Sequence, residues 1–287
     1  VKDLRQSRAI IACMLALFLI GGGTALYAES QPNPALNSPL VEHTAPLEGK
    51  EVRFGTTATV LWTETTTAAS NGSVNGMHDS LNPLSGMVAM VNMMVGEVIF
   101  GGVGAGLYGM LLNVLIAVFL AGLMIGRTPE YLGKKLQAKE VQLLVVTLLV
   151  MPVGVLVLSA LATSLPSAVA SVSNPGAHGF SQVLYAFTSA SANNGSAFAG
   201  LNANTPFYNL MLGLGMLIGR FGYILPVLAL AGSLAMKKTA PVGQDSFPTH
   251  GPLFVVLLTM TIVLVGGLTF LPTLALGPIA EQLILGF

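Results

Sequence analysis

The sequence predicts an all-α, polytopic membrane protein made of two span–pore-loop–span repeats plus one extra C-terminal transmembrane helix. Composition is the first reason. Hydrophobic residues make up 53% of the chain and charged residues 8%, with a mean hydropathy of +0.75, whereas a soluble domain carries about a quarter charged residues. The second reason is a short polar stretch used twice. Thr65–Asn75 and Thr188–Phe198 overlay at an offset of 123 residues and agree at Thr65/Thr188, Ala69/Ala192, Asn71/Asn194, Gly72/Gly195 and Ser73/Ser196. The third reason is context: each copy follows a short helix candidate, with Trp62 and Tyr185 in matching positions, and precedes a long apolar run. Small, polar, glycine-bearing backbone at membrane depth is tolerated only where it lines a cavity. A doubled loop of this kind predicts a pore.

In chain order, Lys2, Arg5 and Arg8 flank a span over 9–27, close to the ~20 residues that cross a bilayer. Residues 28–55, with Pro32, Pro34, Pro39 and Pro46, read as an outer loop. Residues 56–69 are apolar but threonine-rich and too short to cross, which fits a re-entrant helix feeding a first filter loop at 70–76. The 84–126 segment is about twice one span and carries Gly101-Gly102-Val103-Gly104-Ala105-Gly106 in its middle. Basic residues choose between a hairpin and a single broken crossing, because Lys and Arg favour cytoplasmic loops. Placing Lys2/Arg5/Arg8, Arg127/Lys134/Lys135/Lys139 and Lys237/Lys238 all inside requires one net crossing, hence a broken span. Residues 127–139 are then a cytoplasmic connector closing a first repeat over 1–139. The second repeat, 140–238, has a span at 141–165, a re-entrant helix at 180–190, a filter loop at 191–199 and a span at 207–236. Residues 239–287 hold a cytoplasmic turn and a final span at 253–276. Val1 is not an initiator, so the chain is expected to be part of something longer.

The loops suggest a monovalent cation filter. Backbone carbonyls can replace an ion's water shell without fixed negative charge, and glycine permits the dihedral angles that aim successive carbonyls at one axis. The candidate filter residues are Ser70, Asn71, Gly72 and Ser73 in one loop and Asn193, Asn194, Gly195 and Ser196 in the other, the asparagines bracing their loops through side-chain hydrogen bonds. Neither loop contains Asp or Glu, which argues against divalent coordination. Gly101, Gly102, Gly104 and Gly106 read as a gate in the broken span, close helix packing being the other use of such glycines. Glu97 and Arg220 fall on equivalent positions with opposite charge. They have two readings, an ion pair between inner helices or charges lining an ion path.

Other features read as structural. Glu64 has no charged counterpart and is expected to face water at the rim; His43, His78, His178 and His250 are expected at the surface; the methionines of 87–94 read as packing. The lone Cys13 leaves no disulfide framework, and a net charge of zero gives no reason to expect a nucleic-acid partner. The sequence has neither a phosphate-binding loop nor the Asp-Lys-Thr-Gly phosphorylation motif, so the chain is not expected to hydrolyse ATP. A serine in Gly195-Ser196-Ala197 raises an intramembrane protease, which would need a histidine base; His178 is the nearby candidate.

Thr65–Asn75 with Met77-His78-Asp79, and Thr188–Leu201, resemble the third and fourth selectivity-filter regions of the potassium-transporting (potassium-binding) subunit of the bacterial Kdp ATPase. Gly126-Arg127-Thr128-Pro129-Glu130-Tyr131-Leu132-Gly133-Lys134-Lys135 resembles that subunit's cytoplasmic connector. The resemblance implies membership of the superfamily of K⁺ transporters, with this chain as the C-terminal half of a pseudo-fourfold pore. It implies K⁺ as the transported ion, held by carbonyls of Ser70, Asn71, Gly72, Asn193, Asn194 and Gly195. It also implies a gating loop at Gly101–Gly106 and Arg220 as the positive residue beneath the filter. The implied partners are a P-type ATPase catalytic subunit, small accessory subunits and the missing N-terminal half of the pore, all in a bacterial inner membrane. A channel-like K⁺ transporter of the same superfamily, driven by membrane potential or coupled ions, is the alternative.

Overall fold

The computed structural model describes residues 3–36, 46–102, 105–126, 128–239 and 247–286. Among these the chain is almost wholly helical, the one two-stranded sheet pairing β1 (Glu130–Tyr131) with β2 (Lys134–Lys135). Five helical stretches are long and apolar enough to cross a membrane: Leu4–Glu29, Ala105–Ile125, Ala138–Ser164, Pro206–Met236 and Pro252–Leu276. The protein is thus an all-α polytopic membrane protein.

The first crossing is α1 (Leu4–Glu29), opened by Asp3, whose carboxylate accepts from the Arg5 backbone N–H at 2.8 Å. α2 (Gly55–Ala68) is only about 21 Å long at ~1.5 Å per residue, short of the ~30 Å hydrocarbon core. Thr59, Thr65 and Thr67 turn their hydroxyls back onto the helix, Thr67 to Thr63 O at 2.7 Å, whereas Thr63 and Thr66 reach His78 and the following loop. α3 (Pro83–Met94) starts on a proline, whose missing N–H is harmless at a first turn.

The 84–126 segment holds two helices, α3 and α4 (Ala105–Ile125), and its described connecting residues, 95–102, are not helical. α3 packs on α1, α2, α8, α11 and α12, and α4 packs on α11 and β1. Gly96, Glu97 and Gly101 take φ values of 85°, 52° and 70° and end the helical path. Of the four candidate gate glycines, Gly101, Gly102 and Gly106 are described and Gly104 is not; Arg127 and His43 also fall outside the described residues.

The second repeat begins with α5 (Ala138–Pro152), opened by a capping box in which Gln137 and Glu140 satisfy each other's backbone N–H. A π turn at Val153–Val157 leads into α6 (Leu158–Ser164) and the short α7 (Pro166–Val169). α8 (Gly176–Ala192) begins before and ends after the 180–190 expected from the sequence. α9 (Pro206–Leu217) and α10 (Tyr223–Met236) are joined through a second π turn, Ile218–Gly222. α11 (Pro252–Leu276) and α12 (Pro278–Leu285) end the chain. The core runs between the repeats: Met90, Met93 and Met94 of α3 pack with Leu184 and Tyr185 of α8 and with Phe198 and Phe270. Those methionines are packing residues, and Cys13 is a fully buried member of a second cluster.

Three expectations about charged and imidazole side chains are corrected. Glu64 does not face water: it is 2% exposed and accepts from Asn92 Nδ2 at 3.0 Å. His78 is buried rather than at the surface, and His178 sits between Asp79 Oδ1 at 2.9 Å and Glu281 Oε1 at 2.7 Å. In each case distant segments supply the partners, which local polarity does not announce. His250 is exposed, as expected.

Candidate functional site

The two polar loops are built alike. A residue of left-handed backbone follows each helix, Ser70 at φ 55° two residues after α2 and Asn193 at φ 60° directly after α8, and turns the chain sharply off the helix. In each loop the next residue's N–H reaches back to the helix: Asn71 N to Thr66 O at 2.9 Å and Asn194 N to Ser189 O at 3.0 Å. Each asparagine then accepts from a backbone N–H two residues on, Asn71 Oδ1 from Ser73 N at 2.7 Å and Asn194 Oδ1 from Ser196 N at 2.9 Å. These are Asx turns, and they hold the intervening glycines in place. Even the aromatic supports match. Trp62 Nε1 donates to Ser73 Oγ at 3.1 Å, and Tyr185 OH is hydrogen-bonded to Ser196 Oγ at 2.8 Å.

The loops meet at their glycines. A Cβ added to Gly72 would lie 2.8 Å from the Gly195 carbonyl carbon and 3.1 Å from Asn194 O, so only glycine fits there. Their surroundings differ: Asn71, Gly72 and Ser73 are exposed, whereas Asn194 and Ser196 are buried. The carbonyl groups also divide. Asn71 O and Ser73 O accept from Thr66 Oγ1 at 2.5 and 2.7 Å, and Ser73 O accepts from Trp62 Nε1 at 3.1 Å. The carbonyls of Ser70, Gly72, Asn193, Asn194, Gly195 and Ser196 accept no hydrogen bond from the described residues.

Beneath both loops lies a cavity of about 70 Å³, lined among others by Ser70, Glu97, Gly102, Asn193 and Arg220. Each loop rests on a departure from α-helical backbone. Under the first, the 95–102 stretch caps α2: Phe100 N and Gly101 N donate to Ala68 O at 3.2 and 2.9 Å. Gly102 lies so close to Ser70 that a Cβ would stand 3.0 Å from the serine Cβ. Gly101 and Gly106 are in mutual contact, and a Cβ on either would collide with the other's backbone. Under the second loop is the π turn Ile218–Gly222, and Gly219 is pressed against Ser191 O. π turns recur at functional positions in helices.

Glu97 and Arg220 both reach the cavity, but among the described residues they form no ion pair. Asn194 Nδ2 instead donates to Glu97 Oε1 at 2.5 Å, while Arg220 remains exposed. Ser196 Oγ is engaged by Tyr185, and among the described residues no histidine reaches it. His178, the base that the protease reading requires, is instead taken up by two carboxylates.

Some of this lay beyond sequence reading. Asn92, Thr67, His78 and Glu29 each complete a polar contact across the fold, Glu29 pairing with Lys50 at 2.8 Å where both side chains are fully buried. The matched Trp62/Tyr185 and Ser73/Ser196 positions were the visible trace of the aromatic supports.

Short helices that end in facing, glycine-centred loops, set among five helical stretches long and apolar enough to cross a membrane, give the architecture of an all-α polytopic membrane protein. The chain belongs to the potassium-transporting ATPase A subunit family, whose profile matches residues 1–283. It is 86% identical over its whole length to the potassium-transporting ATPase potassium-binding subunit of Pseudomonas fluorescens (strain Pf0-1), covering 51% of that protein. The potassium-binding subunit of Pseudomonas aeruginosa PAO1 is 77% identical over the same 287 residues. That of Rhodospirillum centenum is 60% identical over 284 residues, which are 50% of its length. The chain therefore spans about half the length of the curated relatives it matches.

Proposed function

We propose that this chain carries two of the filter loops of a K⁺-binding, K⁺-translocating subunit in an ATP-driven uptake complex. The single observation that carries the reading is the pair of matched loops, touching at Gly72 and Gly195, with unengaged carbonyls at equivalent positions above one cavity. Ser70, Gly72, Asn193, Asn194, Gly195 and Ser196 would present oxygens to dehydrated K⁺, while Asn71 and Ser73 brace the first loop. Neutral carbonyls suit a monovalent ion that must also leave. Gly101, Gly102, Gly104 and Gly106 would form the gate, and Glu97 and Arg220 would set the field below it.

The chain itself would be non-hydrolytic. A P-type ATPase subunit would supply the chemistry, with small accessory subunits beside it in a bacterial inner membrane. The N-terminal half of the pore would cover the exposed side of the first loop and of α9 and α10, where Leu210, Leu217, Phe221 and Leu225 are exposed. The repeats would be the third and fourth of four, 1–139 and 140–238, followed by a last span. The names of the relatives favour the ATPase complex over a channel-like transporter driven by membrane potential.

The test is K⁺-dependent ATPase activity of the native complex purified through this chain. Stimulation by K⁺ that is weakened in Gly195→Asp supports the reading, since a carboxylate would replace carbonyl-only coordination. K⁺ flux in liposomes with no co-purifying ATPase would support the channel-like transporter instead.

A further inference from the structure

The loops are joined at their outer ends by a buried hydrogen-bonded chain that none of the filter residues explains. His78 lies just past the first loop and is 1% exposed. Its Nε2 is 3.2 Å from Thr63 Oγ1 on α2, and its Nδ1 is 2.6 Å from the Tyr185 hydroxyl on α8. That hydroxyl reaches Ser196 Oγ in the second loop at 2.8 Å, and Ser196 Oγ lies 3.9 Å from Met93 Sδ. One proton arrangement satisfies every member. Thr63 donates to Nε2, Nδ1–H donates to the Tyr185 oxygen, and Tyr185 donates to Ser196. Each group therefore has one role, and a buried network with every member satisfied holds its geometry firmly.

The next residue strengthens the bridge. Asp79 N donates to Phe198 O at 2.7 Å, and the Phe198 ring stacks on Tyr185 with centroids 4.7 Å apart. His78 and Asp79 thus connect the exit of one loop to the far end of the other. Among the described residues the first loop shows no corresponding relay: Trp62 meets Ser73 from an exposed position.

Resting on the filter reading above, we propose that His78 is a positioning residue for ion specificity. Through Tyr185 it fixes Ser196, and with it the spacing of the second loop's carbonyls relative to the first. A filter tells K⁺ from Rb⁺ by small differences in oxygen spacing, so a slack support should blunt that preference before it abolishes transport.

The experiment measures apparent K⁺ and Rb⁺ affinities of the purified full-length complex, together with maximal rate and thermal midpoint. Tyr185→Phe keeps the stacked ring and removes the hydroxyl. His78→Gln retains reach towards Thr63 only, and His78→Asn retains reach towards Tyr185. The expected result is a fall in K⁺-over-Rb⁺ preference of about fivefold in Tyr185→Phe and His78→Gln, the scale of one net hydrogen bond. His78→Asn should stay within twofold of the parent, with maximal rates retained throughout. If the His78 variants do not assemble, Tyr185→Phe and Ser196→Ala decide: they should lower the preference equally and without adding when combined. A parental preference that survives Tyr185→Phe within twofold, or equal effects of the two His78 variants, overturns the proposal alone. A parent complex with no preference for K⁺ over Na⁺ or Rb⁺ removes the filter reading and this proposal with it.

Discussion

Ser70 and Asn193 stand 123 residues apart and carry the same backbone conformation, φ 55° and 60°, at the point where each short helix gives way to its loop. Left-handed backbone costs a non-glycine residue roughly 1–2 kcal/mol, least for asparagine. Two such residues at equivalent places mark a geometry that the fold imposes on both loops.

The first prediction follows from that strain. Asn193→Val should lower thermal stability by roughly 1–2 kcal/mol more than Asn193→Gly, because both lose the Nδ2 bond to Met216 O (3.2 Å) but only valine resists the backbone. Equal losses in thermal unfolding of the detergent-solubilised complex would show that φ is not the constraint.

Gly72→Ala tests the contact between loops. Its new methyl would press on Gly195 and Asn194 backbone, so the loops must separate. Apparent K⁺ affinity should fall about tenfold or more, as overpacking typically costs ~1–3 kcal/mol. Unchanged affinity in uptake assays would mean that the loops have room to move.

Glu97 accepts from Asn194, so the amide should be tolerated and the truncation should not. Glu97→Gln keeps an acceptor for Asn194 Nδ2 and should bind K⁺ within a few-fold of the parent, whereas Glu97→Ala leaves that donor with Thr66 O alone. A buried donor short of its partner costs roughly 1–3 kcal/mol. Equal affinities for the two variants would point to charge rather than hydrogen bonding.

Two histidines outside the five spans give stability opposite pH dependences. Burial opposes a charged His178, but its hydrogen bonds to the Asp79 and Glu281 carboxylates, and their negative charge, outweigh it and raise its pKa to about 10. Its contribution is full below about 6.5, the ordinary histidine value, and is lost as pH rises through about 10. His78 is held neutral by burial with a pKa of about 4, so its contribution is full above about 6.5 and is lost as pH falls through about 4. From these two groups stability peaks near pH 6.5. Thermal midpoints across pH should lose the alkaline decline in His178→Asn, and a persistent decline would assign it elsewhere.

The pair Glu29–Lys50 is wholly buried, so removing one partner should destabilise by about 3–5 kcal/mol while removing both costs less. A double-mutant cycle with Glu29→Gln and Lys50→Met that is simply additive would show the pair to be energetically silent.

Membrane class, the doubled loop, its asparagine and glycine positions and the helix break near Gly101 were legible because each depends on local sequence. Apolar run length decides what can cross a bilayer, glycine decides where backbone can bend, and a repeat at constant offset shows up in the residues themselves. The partners of Glu64, Glu29, His78 and His178 were not legible. Only packing shows that residues 28, 21, 107 and 103 positions away complete their respective hydrogen bonds or ion pairs. The same holds for Glu97, which the charge pattern offered to Arg220 and the fold gives to Asn194. Sequence alone determined that two equivalent loops exist; which carbonyls remain unengaged, and what braces each loop, depended on contacts between segments far apart in the chain.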